Sequence, residues 1–593
     1  MPDAVKSIKV RKWSPVARFR HGRAGQAVVR RWLRRRADTV LRRMAKLDDV
    51  TDEELRQRAL AVYTDSERIG KGGAADLDTI ALIGEAIRRE TDLTLHPNQV
   101  MAALAMNRGW MLELATGEGK TLAVLATAAA FALMRRPVHV ITANAYLAGR
   151  DAELADRVIR RVGLTATVLS KDKEGLERKQ AYRYHVMYTT LHEVGFDWLR
   201  DRLSMLRGSA DRIQQRLRVA IVDEADLVMI DEARTPMILS QQIEDDKTQL
   251  YEWAHREARK LKPGEDYQIV GQQSVELSDK AYRRLIRRFP EDKAPEAELA
   301  LLSMLKAYLF YRRNVQYAID PEEDKVVIVD ERTGRLMPGR QWPHGLHEAV
   351  TIKEGLPLDK PTAHMAQITV QQFLAQYDEL AGCSGTMFGA AREIWAVYGH
   401  PTVRVPTHRP CIRSHDGQAT FATRSEQFDA AVDQIRELHE AGRPVLVGTT
   451  HITHSYRLSQ LLESHGIEHQ VLTALDEAEE AKIVARAGQP GAVTIATNMA
   501  GRGTDIKLGE KIADRGGLHV LSLQRHESSR VDRQLVGRCA RQGDPGSCQF
   551  LLSLQDPLLE THARKERAAL RRRRRGYGRP LPSGTVDRLW NRV

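Results

Sequence analysis

The sequence predicts an α/β protein with two doubly wound parallel-sheet domains, the first interrupted by an α+β insert. Three observations carry this. From residue 76 onward short β-rich runs alternate with helical patterns, the arrangement that builds parallel sheets. The runs fall into two groups: "VHVITA" (138–143), "TATVLS" (165–170) and "VAIVDEAD" (219–226), then "PVLVGTT" (444–450), "AVTIATN" (492–498) and "LHVLSL" (518–523). Between the groups, residues 241–360 change texture, with charged helical patterns such as "DDKTQLYEWAHREARKLK" and the β-like "KVVIVDERTGRLMPGR". The division that follows is 1–75, a basic helical region; 76–240, the first domain; 241–360, the insert; 361–410, the return to the first domain; 411–560, the second domain; and 561–593, an arginine-rich tail. At 593 residues the chain has room for three separate cores.

The first element, residues 24–47, sets Val28, Val29, Trp32, Leu33, Val40, Leu41, Met44 and Leu47 at helical spacing, with Arg filling most other positions. Such a helix suits an anionic membrane surface or an acidic partner, or it packs on its own protein with solvated arginines. The tail, with "RRRRRGYGRPLPSG", is poor in apolar residues and reads as disordered; its charge suits anionic lipid or acidic partners. Residues 1–50 hold 15 Lys/Arg against 4 Asp/Glu, and residues 561–593 hold 11 against 2. The whole chain is only +13, so the body between these ends is net negative. A nucleic-acid groove needs cations along its length, which argues against nucleic acid as the partner. The longest apolar run, "LAVLATAAAFALM" (122–134), is too short to span a bilayer, and the start of the chain has no apolar leader. Cys383, Cys411, Cys539 and Cys548 are scattered, which points to a reducing compartment and away from a disulfide framework or a zinc module.

The first group of strands carries a phosphate loop. In "ELATGEGKT" (113–121), Gly119-Lys120-Thr121 opens an apolar helix. Successive backbone N–H groups and the helix N-terminus cradle phosphates, Lys120 supplies a point charge, and the Thr121 hydroxyl can ligate Mg²⁺. Leu114 replaces the first glycine of the usual pattern; the form Ala-Thr-Gly-x-Gly-Lys-Thr is the helicase-type variant. Asp223 and Glu224 follow the run "VAIV", where a doubly wound sheet presents its ligands. Asp223 is suited to hold Mg²⁺ through water and Glu224 to orient or deprotonate the attacking water. Upstream, Gln99 in "LTLHPNQV" (93–100) offers an amide donor and acceptor for adenine.

The second group adds "TNMAGRGTD" (497–505) and "QLVGRCARQGDPG" (534–546), the latter with Arg538 and Arg541 three apart on an expected helix. At that spacing both guanidiniums share a face and can reach a γ-phosphate across a cleft. The parts define an ATPase with two RecA-like motor domains and ATP with Mg²⁺ between them.

What is moved is indicated by a resemblance. "TGEGKT", "IVDEADLVMIDEARTPMILS", "YTTLHEVGFDWLRD" (188–201), "VDERTGRLMPGRQWPHGLHEAV" (329–350), "ATNMAGRGTDIKLG" and "RQLVGRCARQGD" together resemble the SecA family, the ATPase motors of bacterial preprotein export. The resemblance covers residues 40–560, and "IDEARTP", "GFDWLRD" and "VDERTGR" separate it from RNA helicases. It implies that 241–360 is a preprotein cross-linking domain that clamps unfolded polypeptide, with Asp330, Glu331, Thr333, Gly334 and Arg335 in it. It implies phosphate contacts from Thr116, Gly117, Glu118, Gly119, Lys120 and Thr121, adenine recognition by Gln99, and nucleotide contact by Asp505. Arg502, Arg538 and Arg541 would couple the γ-phosphate to closure, and "GCSGTM" (382–387) would link hydrolysis to motion. The implied partners are unfolded preproteins, the SecYEG channel and an anionic membrane surface, in the cytoplasm at the inner face of the plasma membrane, with a homodimer allowed. Ala115, Cys539 and Ala540 depart from the usual family residues without removing a ligand. The chain's length matches a short, accessory form without the family's C-terminal scaffold, wing and zinc tail. Two other readings share these residues: a nucleotide-switched export chaperone, and a superfamily 2 nucleic-acid helicase.

Overall fold

The computed structural model describes residues 11–563 apart from 12–13, 66–73, 207, 209–210, 215, 243–246, 271–273, 291–292, 321–323, 330–335, 338–339, 359–361, 473–476 and 498–502; beyond 563 it describes 570, 579–581 and 590. The β-branched runs become strands buried on both faces, as parallel strands under helices must be. In the first domain seven parallel strands lie in the order Thr402–Arg404, Met111–Glu113, Glu379–Ser384, Val219–Asp223, Val138–Thr142, Val186–Thr190, Ala166–Val168. In the second, six parallel strands run Ser414–Phe421, Gly546–Ser553, Leu518–Ser522, Val445–Thr449, Val493–Thr497, Gln470–Leu472. Helices cover both faces of each sheet, which gives two doubly wound RecA-like domains.

The insert leaves and re-enters the first domain through one antiparallel ribbon, Met237–Gln242 against Thr362–Ile368. It holds helices Thr248–Ala258, Asp279–Arg288, Ala294–Phe310 and Leu346–Lys353, a hairpin (Tyr267–Val270, Ser274–Leu277) and a three-stranded antiparallel sheet. Trp253, Leu301, Met304, Tyr317 and Val350 form a core of its own. Asp330, Glu331, Thr333, Gly334 and Arg335 lie outside the described residues.

The basic helix, Arg23–Ala45, buries Leu33, Val40 and Met44 against the helices of the first domain, so most of its apolar stripe packs on its own protein. Val28 and Trp32 stay 61% and 38% exposed, and the guanidiniums of Arg36 and Arg108 lie over the Trp32 ring. The segment "GFDWLRD" has a structural task. Asp197, fully buried, accepts both 2.7–2.8 Å bonds from Arg178 Nε and one at 2.8 Å from the Tyr182 hydroxyl. Asp201 accepts from the backbone N–H groups of Ile213 and Gln214 at 2.7 and 2.8 Å, which fixes the approach to the strand that ends in Asp223. The tail is not wholly unpacked: Leu570, Leu581 and Trp590 sit in the core of the second domain.

Burial pushes His139, in the second strand of the first sheet, down to about 4. A histidine depressed in the folded state contributes stability above its unfolded value near 6.5, and that stability is lost as pH falls through 6.5 toward 4. Asp151, Asp532 and Asp556, each pushed up to about 6 by burial, act over the same window with the opposite sign. We therefore expect the stability gap between His139→Gln and the parent chain to move in the variant's favour by ~1.4 kcal/mol per pH unit below 6.5, as read by urea denaturation at a series of pH values.

Candidate active site

The loop between the strand Met111–Glu113 and the helix Lys120–Leu133 turns through two left-handed glycines, Gly117 (φ 84°) and Gly119 (φ 76°). At φ 76° any other residue at Gly119 would be strained, and its Cβ would stand 2.2 Å from Gln99 Nε2 and displace that amide. Gly119 caps the helix with no side-chain bond, which leaves the first-turn N–H groups facing the cavity, where an anion would be held. Glu118 turns away: its carboxylate accepts from Asn98 Nδ2 and, at 2.8 Å, from the His408 backbone N–H in the linker between the domains. Gln99 braces the loop from below. Its Oε1 accepts from the His96 N–H at 2.8 Å and its Nε2 donates to the Glu118 carbonyl at 3.1 Å, so both ends of the amide are engaged within the chain.

Asp223 closes the strand Val219–Asp223 and Glu224 follows with φ 47°, a left-handed conformation that costs about 1–3 kcal/mol in a non-glycine residue. That strained turn aims Glu224 at the phosphate loop, where it pairs with Lys120. Burial works against the Lys120 ammonium, but the charges of Glu224 and Asp223 outweigh it and hold Lys120 above its ordinary value. Burial pushes the Asp223 carboxyl up, with Lys120 opposing.

The second domain completes a cavity of about 500 Å³ lined by Thr116, Gly117, Gly119, Lys120, Thr121, Asp223 and Glu224 on one side and by Thr504, Asp505, Gln534, Arg538 and Arg541 on the other. Arg538 donates to the Thr504 carbonyl at 3.0 Å, and Arg541 pairs with Asp505. The two arginines are not on a helix as expected. The helix Ser529–Val536 ends before them, and Ala540 and Gln542, both at φ 53°, turn the segment back toward the phosphate loop. There Gln542 Nε2 donates to the Gly117 carbonyl at 3.1 Å and the Thr116 hydroxyl donates to the Gly537 carbonyl at 2.5 Å. Arg502 lies outside the described residues; Gln99 and the Glu118 side chain are the expected site groups that do not line the cavity. The donor set fits a magnesium–nucleoside triphosphate: a glycine cradle that a Cβ would fill, a helix N-terminus, one lysine, a hydroxyl beside a carboxylate, and two guanidiniums opposite.

The family profile for the SecA DEAD-like domain matches residues 20–395, and that for the SecA P-loop domain matches 410–514 and 510–574. The chain belongs to the SecA family. The protein translocase subunit SecA of Clostridium tetani (strain Massachusetts / E88) is 38% identical over 538 residues, which is 88% of this chain and 63% of that protein. This chain thus spans less than two thirds of the length of that relative. Among solved structures, the DUF1998 helicase MrfA bound to DNA is 10% identical with a TM-score of 0.43, covering 86% of this chain and 60% of the other. S. cerevisiae Dbp5 bound to RNA and ADP BeF3 is 13% identical with a TM-score of 0.37, covering 78% and 88%. Likenesses this loose say nothing about the partner.

In this SecA-family chain Asp226 and Asp231 of "DEADLVMIDEARTP" have a visible task. Arg530 of the second domain reaches across the cleft and donates to Asp226 at 3.0 Å and to both oxygens of Asp231 at 2.9 and 2.6 Å. Asp226 also accepts from Ser384 and Thr386 hydroxyls at 2.6 Å each, both in "GCSGTM", and from Gln534. One fully buried carboxylate thereby joins the strand end, the return strand and the arginine segment. Sequence reasoning missed Asp226, Asp231, Arg530 and Gln534. The available signal was the four-residue spacing of Arg530 and Gln534, which puts two long polar side chains on one face of the helix Ser529–Val536, toward the cleft.

Proposed function

We propose that this SecA-family chain is an ATP-hydrolysing motor that couples turnover to movement of unfolded preproteins through or to the SecYEG channel. The observation that supports it is the single cavity walled by both motor domains, with Lys120, Asp223 and Glu224 facing Arg538 and Arg541. The backbone of Gly117, Gly119, Lys120 and Thr121 would hold the phosphates, Thr121 and Asp223 would hold Mg²⁺, and Asp505 would meet the nucleotide from the second domain. Bound MgATP supplies the γ-phosphoryl group and the divalent charge that balances its oxygens.

Lys120 leaves Glu224 for the phosphate. Glu224 is then released to orient and deprotonate water, so its activity depends on nucleotide being present. Arg538 and Arg541 draw the second domain onto the phosphate, and Arg541 must exchange Asp505 for it. Gln99 reaches adenine only by giving up its bonds to His96 and Glu118. The insert, hung on a two-stranded ribbon, grips extended polypeptide through backbone edges and apolar contact, which agrees with the net-negative body better than a nucleic-acid groove does. The chain works in the cytoplasm at the inner face of the plasma membrane, where the charge of its basic helix and tail suits anionic lipid.

Two assays test this reading. Glu224→Gln should retain ATP affinity and turn over about 10²-fold or more slowly, measured by equilibrium binding and phosphate release. The parent chain's turnover should rise with SecYEG vesicles and an unfolded, signal-bearing preprotein. A rise with single-stranded RNA and none with preprotein would put the helicase reading in its place.

A further inference from the structure

The return strand Glu379–Ser384, "ELAGCS", runs between Met111–Glu113 and Val219–Asp223. Parallel register sets Cys383 beside Leu112 on one side and beside Asp223 on the other. Residues in register on neighbouring strands present their side chains to the same face of the sheet, so the thiol meets the carboxylate. Cys383 Sγ donates to Asp223 Oδ1 at 3.3 Å. Cys383 is 1% exposed, so the contact is made away from bulk water.

Asp223 Oδ1 has a second donor, the Glu224 backbone N–H at 2.9 Å. The two donors come from different segments, the turn after the strand and the strand alongside. A carboxylate turns easily about its last torsion, because rotations of this kind have broad minima. Held by two donors on one oxygen, it keeps one orientation. Among the described residues Asp223 Oδ2 accepts no hydrogen bond, and Asp223 lines the nucleotide cavity, so Oδ2 is the acceptor left for a ligand there. The next residue, Ser384, falls on the alternate face and holds Asp226. Two consecutive side chains at one strand end thereby each orient one acid of "DEAD".

We propose that Cys383 is a positioning residue for the ATPase reaction: its thiol holds the Asp223 carboxylate in the orientation that presents Oδ2 to the Mg²⁺ of bound nucleotide. This rests on the assignment of Asp223 to Mg²⁺ proposed above. A buried cysteine commonly serves as a small hydrophobe, and that role asks nothing of the S–H. Here the S–H faces a carboxylate oxygen, and carboxylates that ligate metals are oriented by such outer donors. Losing an outer donor costs about 10–100-fold in metal affinity. The thiol is a weak donor and the Glu224 N–H remains, so the loss here belongs at the lower end, about tenfold.

The test measures the affinity of the full chain for a non-hydrolysable ATP analogue by calorimetry, with magnesium and with EDTA. It compares the parent with Cys383→Ala, Cys383→Val, Cys383→Ser and Asp223→Asn, and reads the factor by which magnesium tightens binding. That factor should fall about tenfold in Cys383→Ala and Cys383→Val. Cys383→Ser restores a donor and should stay within about threefold of the parent. Affinity in EDTA should be alike in the parent and the three Cys383 variants. A parent-like factor in Cys383→Ala or Cys383→Val overturns the proposal. So does an equal loss with and without magnesium, which marks a packing defect, or a Cys383→Ser chain as weak as Cys383→Ala. Asp223→Asn tests the underlying reading separately: a parent-like factor there removes Asp223 from the metal, and the proposal with it. Should Cys383→Ala fail to fold, Cys383→Val, which fills the space without a donor, decides.

Discussion

Lys120→Ala should abolish ATP turnover, by about 10²–10³-fold or more, the cost of removing a preorganised charge from a developing phosphoryl transition state. Two effects combine. The γ-phosphate loses its cation, and Glu224 and Asp223 lose the charge that lets two buried carboxylates stand side by side. They can be separated by measuring nucleotide affinity and turnover in Lys120→Ala and in Lys120→Ala/Glu224→Gln. If crowded carboxylates were the whole cause, the double variant would recover ATP affinity. The account predicts that it recovers little, because the phosphate still lacks its lysine. Lys120→Arg should not rescue, since the forked guanidinium does not replace a compact ammonium inside a loop whose glycines leave so little space.

Arg530→Ala should loosen the two motor domains from each other. Arg530 is 5% exposed and is paired to Asp226, fully buried, and Asp231. Removing one member of a buried ion network leaves the remaining charge uncompensated, at a cost of about 3–5 kcal/mol. The expected readings are a lower unfolding midpoint and faster proteolysis of the linker around 405–412. Asp231→Asn is the milder change, since Asp226 keeps Arg530, Ser384 and Thr386. A double-mutant cycle on Arg530 and Asp231 should therefore give a clear coupling energy, whereas additivity would show that the pair does not hold the domains. The network gives "IDEARTP" a structural place close behind Asp223 and Glu224: Glu224 pairs with Lys120 in the loop, and Asp231, seven residues later, pairs with Arg530 of the partner domain.

The two sheets were legible because central parallel strands are buried on both faces and therefore written mainly in Val, Ile, Leu and Ala. Strands without that constraint escaped. Glu379–Ser384, "ELAGCS", is built from small residues and lies between Met111–Glu113 and Val219–Asp223, so its neighbours impose its conformation. Ser414–Phe421 is half exposed and polar at its start, and nothing local marks it as a strand. The phosphate loop, Asp223 and Glu224 were legible because glycine, lysine and carboxylate at that spacing answer to one chemistry. Asp226 and Arg530 were not, since their partnership depends on how two domains meet. The tail misled because composition averages over a segment, whereas Leu570, Leu581 and Trp590 pack as single anchors.

In the proposed function, nucleotide in the shared cavity changes the grip on a protein chain. The decisive measurement is binding of a fluorescent unfolded preprotein to Glu224→Gln, with and without saturating MgATP. The expected difference in affinity between the two states is about fivefold or more, with ATP affinity shifted by the same factor when preprotein is added first. Identical preprotein affinity with and without nucleotide would contradict it.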